Sequence, residues 1–307
     1  WAQAIPYMYR IHAEFFSEHK ALPPIEEVQA YYRRNSAKRV SSPTLYPPSK
    51  DLSFAWSHQE LTGGPSMVVD LKGDTGVDVL TGRVFELSGP NTPLIVKATG
   101  RHPVRAIKID LDRDGAQEWV VAELGAFVAK DTHLGGVTIV QGDHRVSVLS
   151  SVGRVADVAA GDLNGDGRPD LVVAEFGWQK TGGLHVLLQK KKPLTFHKRT
   201  LSADAGVVGL DLADMDGDGK LDIVTAVSQH HERIDLWTSD GEGFKQTTIF
   251  RAPTPLWGAL GLLLKDLDGD GRTDVVHWNG DTLDAPKLAK FQGVHWLRNL
   301  PDRFVPQ

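Results

Sequence analysis

From residue 53 onward, short apolar runs alternate with polar turns, and the alternation itself repeats. One run leads into an acidic segment ("VADVAAGD", "VVGLDLAD", "LGLLLKD"), and a second leaves it ("DLVVAEF", "DIVTAV", "DVVHW"). A third run follows ("GLHVLLQ", "RIDLWTS", "GVHWLRN"), and a more polar fourth comes last ("LTFHKRTL", "GFKQTTIF"). Runs of this length bounded by Gly, Asp and Asn predict strands. The first two are apolar at both parities, which predicts cover on both faces of the sheet. Four-stranded sheets packed face to face around an axis supply that cover. The expectation is an all-β chain, a β-propeller of four-stranded blades with a short helical N-terminal extension.

The acidic segments carry the chemistry. In "DLNGDGRPD", Asp162, Asn164, Asp166 and Asp170 stand at positions 1, 3, 5 and 9, with Gly167 at position 6. Alternate spacing lets a curled backbone aim its oxygens at one point, and the glycine permits a positive-φ turn. The backbone carbonyl of position 7, Arg168, completes an all-oxygen cage that suits calcium better than magnesium. Position 12 is Val173, inside an apolar run, so a strand leaves the loop rather than a helix. One copy alone also admits the reading of a solvated turn, but the pattern recurs in register. Asp214, Asp216, Asp218 and Asp222 repeat it with Lys220 at position 7; Asp266, Asp268, Asp270 and Asp274 repeat it with Arg272. A weaker copy reads Asp110, Asp112, Asp114 and Glu118. The four loops start 52 residues apart, a period that suits one blade. They hold fifteen carboxylates, a concentration that turn chemistry does not require and that divalent ions would neutralise. A fifth, degraded copy starts at Asp70 with Lys72 at position 3, where a cation repels a metal.

Ahead of the repeats, Trp1, Ile5, Met8, Ile11 and Phe15 form one helical stripe, and Ile25, Val28 and Tyr32 extend a second after Pro24. The expected organisation is a helical extension at 1–35, a Ser/Pro-rich linker at 36–52 and the repeat domain at 53–307. The 307 residues carry a formal charge of -5, which does not favour nucleic acid as a partner. No cysteine is present, which removes disulfides, thiol catalysis and covalent haem attachment within the chain. The longest apolar run, Leu256 to Leu264, falls short of the roughly 20 residues of a membrane-spanning helix. Trp1 opens the chain with no signal peptide or initiator methionine, as a processed or incomplete N-terminus would.

The stretches "GDLNGDGRPDLVVAEFG", "DLADMDGDGKLDIVTAV" and "LKDLDGDGRTDVVHWNGD" resemble FG-GAP/VCBS repeats, the blades of integrin α-like propellers, over about residues 53–307. The resemblance implies calcium at the position 1, 3, 5 and 9 side chains of the 162, 214 and 266 loops, and less securely at Asp110, Asp112, Asp114 and Glu118. Relatives of this type usually have seven blades; a closed five-blade ring and five blades of a longer protein both stay open. "LSFAWSHQEL" (52–61) is a candidate fourth strand for the last blade, in competition with the tail itself. "WAQAIPYMYR" with "LPPIEEVQAYYRRNSAKRV" resembles the end of a small c-type cytochrome segment that precedes some bacterial propellers. That resemblance implies haem only if a Cys-x-x-Cys-His segment lies outside this chain, with Met8 as its axial ligand. The alternative is that Met8 fills a helical core stripe.

Other candidates are weaker. His230, His231 and Glu232 are adjacent and point to opposite faces of a strand, so a turn or strand surface is expected there rather than a zinc or catalytic site. Lys190 to Lys192 reads as a solvated hairpin, Trp119 as core, and Trp178 and Trp257 as loop residues open to a ligand or partner. No Ser-His-Asp arrangement, phosphate loop or zinc spacing stands out. The expected function is a non-catalytic, calcium-stabilised binding or scaffold module outside the cytoplasm with a protein partner. The alternatives are an accessory part of a cytochrome electron-transfer complex and, behind it, a propeller-type polysaccharide lyase or hydrolase.

Overall fold

A computed structural model describes residues 66–306 apart from 73, 88–93, 230, 241–242, 255–256 and 281–290, together with 24, 26, 27, 30 and 34. The chain divides into two compact units, 1–57 and 58–307. In the first, Glu26, Glu27, Ala30 and Arg34 are helical. Met8, the stripe from Trp1 to Phe15, the 36–52 linker and the 52–61 segment lie outside the described residues.

The second unit is built from five antiparallel four-stranded sheets, each a simple up-and-down meander. The first holds β1 (Val68–Lys72), β2 (Thr75–Asp78), β3 (Arg83–Glu86) and β4 (Ile95–Thr99). The second holds β5 (Pro103–Ile109), β6 (Glu118–Glu123), β7 (Gly135–Gln141) and β8 (His144–Val152). The third holds β9 (Val155–Gly161), β10 (Asp170–Glu175), β11 (Gly183–Gln189) and β12 (Phe196–Ser202). The fourth holds β13 (Val207–Ala213), β14 (Asp222–Val227), β15 (Arg233–Ser239) and β16 (Phe244–Arg251). The fifth holds β17 (Ala259–Lys265), β18 (Asp274–Asn279), β19 (Gly293–Leu300) and β20 (Arg303–Pro306). The tail therefore supplies the last sheet's fourth strand.

Successive sheets stack through apolar faces. Val120, Ile139, Leu171 and Val173 join the second sheet to the third. Val172, Val186, Leu210 and Ile223 join the third to the fourth, and Val224, Ile234, Leu262 and Val275 join the fourth to the fifth. Each such side chain contributes about 1.5–3 kcal/mol when fully buried. Alternate residues of one strand serve opposite interfaces, as Val172 and Val173 do, which explains why β10 and β14 are buried from end to end.

The first strand of each sheet departs from expectation. β9 and β13 are only partly buried, because β1, β5, β9, β13 and β17 converge on one cavity of about 420 Å3. Polar groups knit this inner layer. Arg105 lies 3.3 Å from both Asp70 and Asp157, and Asp157 accepts the Leu210 N–H at 3.1 Å from the neighbouring sheet. Burial raises the Asp157 pKa to about 6, with the Arg105 charge opposing the shift. Gly209 allows two of these strands to approach closely: a Cβ there would lie 3.3 Å from the Gly261 Cα.

The fifth sheet presents an outward face that the others bury. The loop residue at position 2 packs into the next sheet in three repeats: Leu111, Leu163 and Met215 are 1%, 5% and 5% exposed. Its counterpart Leu267 is 47% exposed. Similarly Val294 is 74% exposed, whereas Ile234, which occupies the same register position in the fourth sheet, is buried. Trp278 stands where the fourth sheet has the buried Ala226, and its ring covers Gly261.

Candidate metal centre

Each acidic loop joins the first strand of a sheet to the second, and the same hydrogen bonds shape each copy. The position 1 carboxylate gathers backbone N–H groups from the far side of its own turn. Asp162 accepts from Gly165 (2.8 Å) and Gly167 (2.7 Å), Asp214 from Gly217 (2.7 Å) and Gly219 (2.8 Å), and Asp266 from Gly269 (2.8 Å) and Gly271 (3.0 Å). Asp110 accepts only from Gly115, at 3.1 Å. Position 3 accepts the N–H of position 5 in Asp112, Asn164, Asp216 and Asp268. Position 5 accepts the N–H of position 7 in Asp166, Asp218 and Asp270. Such bonds curl the chain so that carboxylates on alternate residues share one side. Gly167, Gly219 and Gly271 take φ of 83°, 84° and 86°, which a side chain would strain.

Three loops bring carboxylate oxygens within 4.8 Å of one another: Asp110, Asp112 and Glu118; Asp214, Asp216 and Asp218; and Asp266, Asp268 and Asp274. At such separations like charges repel strongly. Oxygen-only donors in this number suit a hard cation. The Asp110 Oδ1 atom is buried with no hydrogen-bond partner, an orphaned acceptor facing the acidic cluster. These residues fit a calcium ion. The cationic side chain of position 7 partly occupies the loop: Arg168, Lys220 and Arg272 pair with Asp166, Asp218 and Asp270. Arg298 of β19 reaches Asp268 as well. These cations are partly exposed and compete with a metal for the position 5 oxygen.

Position 9 does something the spacing alone does not show. Asp170, Asp222, Asp274 and Glu118 are essentially inaccessible to solvent. One oxygen of Asp222 accepts the Met215 N–H of position 2 at 2.9 Å, and the other accepts the Ser239 N–H at the end of the third strand, also at 2.9 Å. Asp170 does the same with Leu163 and Gln189, and Asp274 with Leu267 and Asn299. Glu118 accepts from the Leu111 N–H and from the Gln141 side-chain amide, both at 2.7 Å. Burial raises the pKa of Asp170 to about 6 and raises those of Asp222 and Glu118, with the neighbouring loop carboxylates adding to the shift.

Two amides at the ends of third strands complete the frame. The Gln189 amide donates to the Leu111 carbonyl of the preceding loop (3.0 Å) and to Pro169 (2.8 Å). Asn299 donates likewise to Met215 (2.9 Å) and Thr273 (3.1 Å). Each ties a loop to the next sheet. Gln141 and Ser239 stand at the equivalent strand ends, where Gln141 donates to Glu118 and Ser239 offers its backbone N–H to Asp222. Asp70 lies on β1 with its carboxylate on Arg105, not in an acidic turn.

Other expectations change. Glu232 is buried, not on a surface: it accepts the Ala259 N–H at 3.0 Å and ties the fourth sheet to the fifth. His231 is half-buried, with Nε2 4.0 Å from Asp204. Trp119 is in the core as expected, but Trp257 is buried too, because its loop folds into an aromatic cluster with Phe250, Phe291, His277 and His295. Both His277 ring nitrogens lack partners, and burial, with His295 nearby, pushes its pKa down to about 4. The unfolded chain therefore binds this proton more readily than the folded one, and stability falls as pH drops from 6.5 towards 4. His277→Leu is expected to be close to neutral at pH 7 and about 3 kcal/mol more stable than wild type at pH 4. Urea unfolding in chelator at both pH values checks this; a difference independent of pH would contradict it.

A sheet meander with an acidic, oxygen-rich loop between its first two strands, repeated in register, defines an acidic-loop repeat protein. The FG-GAP-like repeat family profile matches residues 162–225 and 214–277. Those residues carry two FG-GAP-like repeats. No curated protein matches the sequence. Among solved structures, the biofilm matrix protein Bap1 of V. cholerae is similar, with 17% identity and a TM-score of 0.43. The likeness covers 76% of this chain and 34% of Bap1, so this chain spans about a third of that protein's length.

Proposed function

We propose that the repeat unit is a calcium-stabilised, non-catalytic binding or scaffold module that works outside the cytoplasm. The observation that carries this reading is the recurrence of loops whose carboxylate oxygens face one another, with the buried, unpartnered Asp110 Oδ1 among them. Extracellular calcium modules bind with Kd of about 10⁻⁴–10⁻³ M, which supports a calcium-rich compartment. Among the described residues, no helix is long and apolar enough to cross a membrane. Carboxylates held against a cation are poor proton-transfer groups, since the ion depresses their pKa. The exposed Leu263, Trp278 and Val294 support a protein partner seated on the fifth sheet. Calorimetric titration of metal-free protein tests the reading: calcium should bind saturably and magnesium much more weakly. Equal affinity for both ions would count against these loops as calcium cages.

A further inference from the structure

The second and third sheets share a polar plan at one edge, and changed side chains in the second leave a cleft there. In the third sheet, Glu175 accepts the Gly153 N–H at 2.7 Å. His185 then fills the space beside it, with Nε2 2.7 Å from Glu175 and Nδ1 3.0 Å from the Thr200 hydroxyl. The second sheet repeats the frame with Glu123, which accepts the Arg101 N–H at 3.1 Å. Strand pairing places Thr138 where the third sheet has His185, and Ser147 where it has Thr200. Thr138 reaches Glu123 at 3.3 Å but is too short to bridge to Ser147. Arg101 stands in place of Gly153.

The result is a cleft of about 550 Å3, within the usual range for small-molecule sites. Its polar groups include Arg101, Arg145, His133, Glu123, Ser147 and Ser150. Arg145 is held across it, with one guanidinium nitrogen 3.3 Å from the Thr99 hydroxyl and another 3.8 Å from Glu123. The half-exposed Leu134 offers an apolar surface beside them. Backbone irregularity concentrates at the same place. The β7–β8 pairing shifts register twice, where β11–β12 and β15–β16 each shift once, and Ser151 holds φ of 57°. Bulges re-aim side chains, and non-glycine residues with positive φ cluster at binding sites.

We propose that this cleft binds a carboxylate-bearing sugar unit. Two arginines exceed the single glutamate in charge, and guanidinium groups match a carboxylate's geometry. Glu123, Ser147 and Ser150 suit ring hydroxyls, and Leu134 suits the ring's C–H face. Titration of the full chain in calcium buffer with sodium glucuronate, glucose and inorganic phosphate tests this. Glucuronate is expected to bind saturably and at least tenfold more tightly than glucose or phosphate. Arg145→Gln, which removes the guanidinium, and Thr138→His, which copies the third sheet and closes the cleft, should each weaken it tenfold or more. Both variants should melt like wild type. No saturable glucuronate binding, equal affinity for glucose or phosphate, or unchanged binding in both variants would overturn the proposal. Calcium binding measured on the same samples separates its failure from failure of the metal loops.

Discussion

Chelating calcium is expected to lower the melting temperature by about 15 °C or more. In about 10 mM calcium a site with a Kd of about 10⁻⁴ M is held at a hundred times its Kd, which stabilises the native state by about 2.7 kcal/mol, and three independent sites contribute about 8 kcal/mol. In a domain of this size each kcal/mol shifts the midpoint by about 2–4 °C. The loops couple metal to fold because they join the strands that form the core. Leu111, Leu163 and Met215, each at loop position 2, plug into the neighbouring sheet. A loop loosened by repulsion among its carboxylates loosens that plug. Scanning calorimetry in excess chelator, with metal loss verified, checks the shift. An unchanged midpoint would mean that the loops hold their shape through backbone hydrogen bonds alone.

Asp222→Ala is expected to cost about 3–5 kcal/mol even without metal. Its carboxylate is the acceptor for two buried N–H groups, Met215 and Ser239, and each buried donor left unsatisfied costs about 1–3 kcal/mol. The small cavity adds to this. Asp218→Ala, at exposed position 5 of the same loop, should cost under about 0.5 kcal/mol in chelator, while weakening calcium as strongly. The pair separates what the carboxylates do for the fold from what they do for the ion. Chemical unfolding of both variants in chelator measures it, and equal costs would refute the division of labour.

The strands and loops were legible because their signals are local. Alternating oxygens, a glycine and an apolar run lie within a dozen residues, and repetition in register removes the ambiguity of one copy. What was not legible depends on contacts far apart in sequence. Gln189 finds its acceptor 78 residues away and Asn299 finds one 84 away. The run "VADVAAGD" reads as fully buried, but its strand lines the cavity, where Asp157 faces Arg105. Trp257 reads as a surface residue because its neighbours are turn formers, yet four rings from other strands and loops enclose it. The ligand spacing showed position 9 as an oxygen donor. It could not show that both oxygens are already engaged by backbone N–H groups.

The most direct test is a count of bound calcium by elemental analysis after gel filtration, in wild type and in Asp110→Ala, Asp214→Ala and Asp266→Ala. The wild-type chain should retain three or four ions, and each variant should lose one while keeping the rest. A chain that retains none at millimolar calcium, or variants that lose nothing, would contradict the assignment of these loops as metal sites.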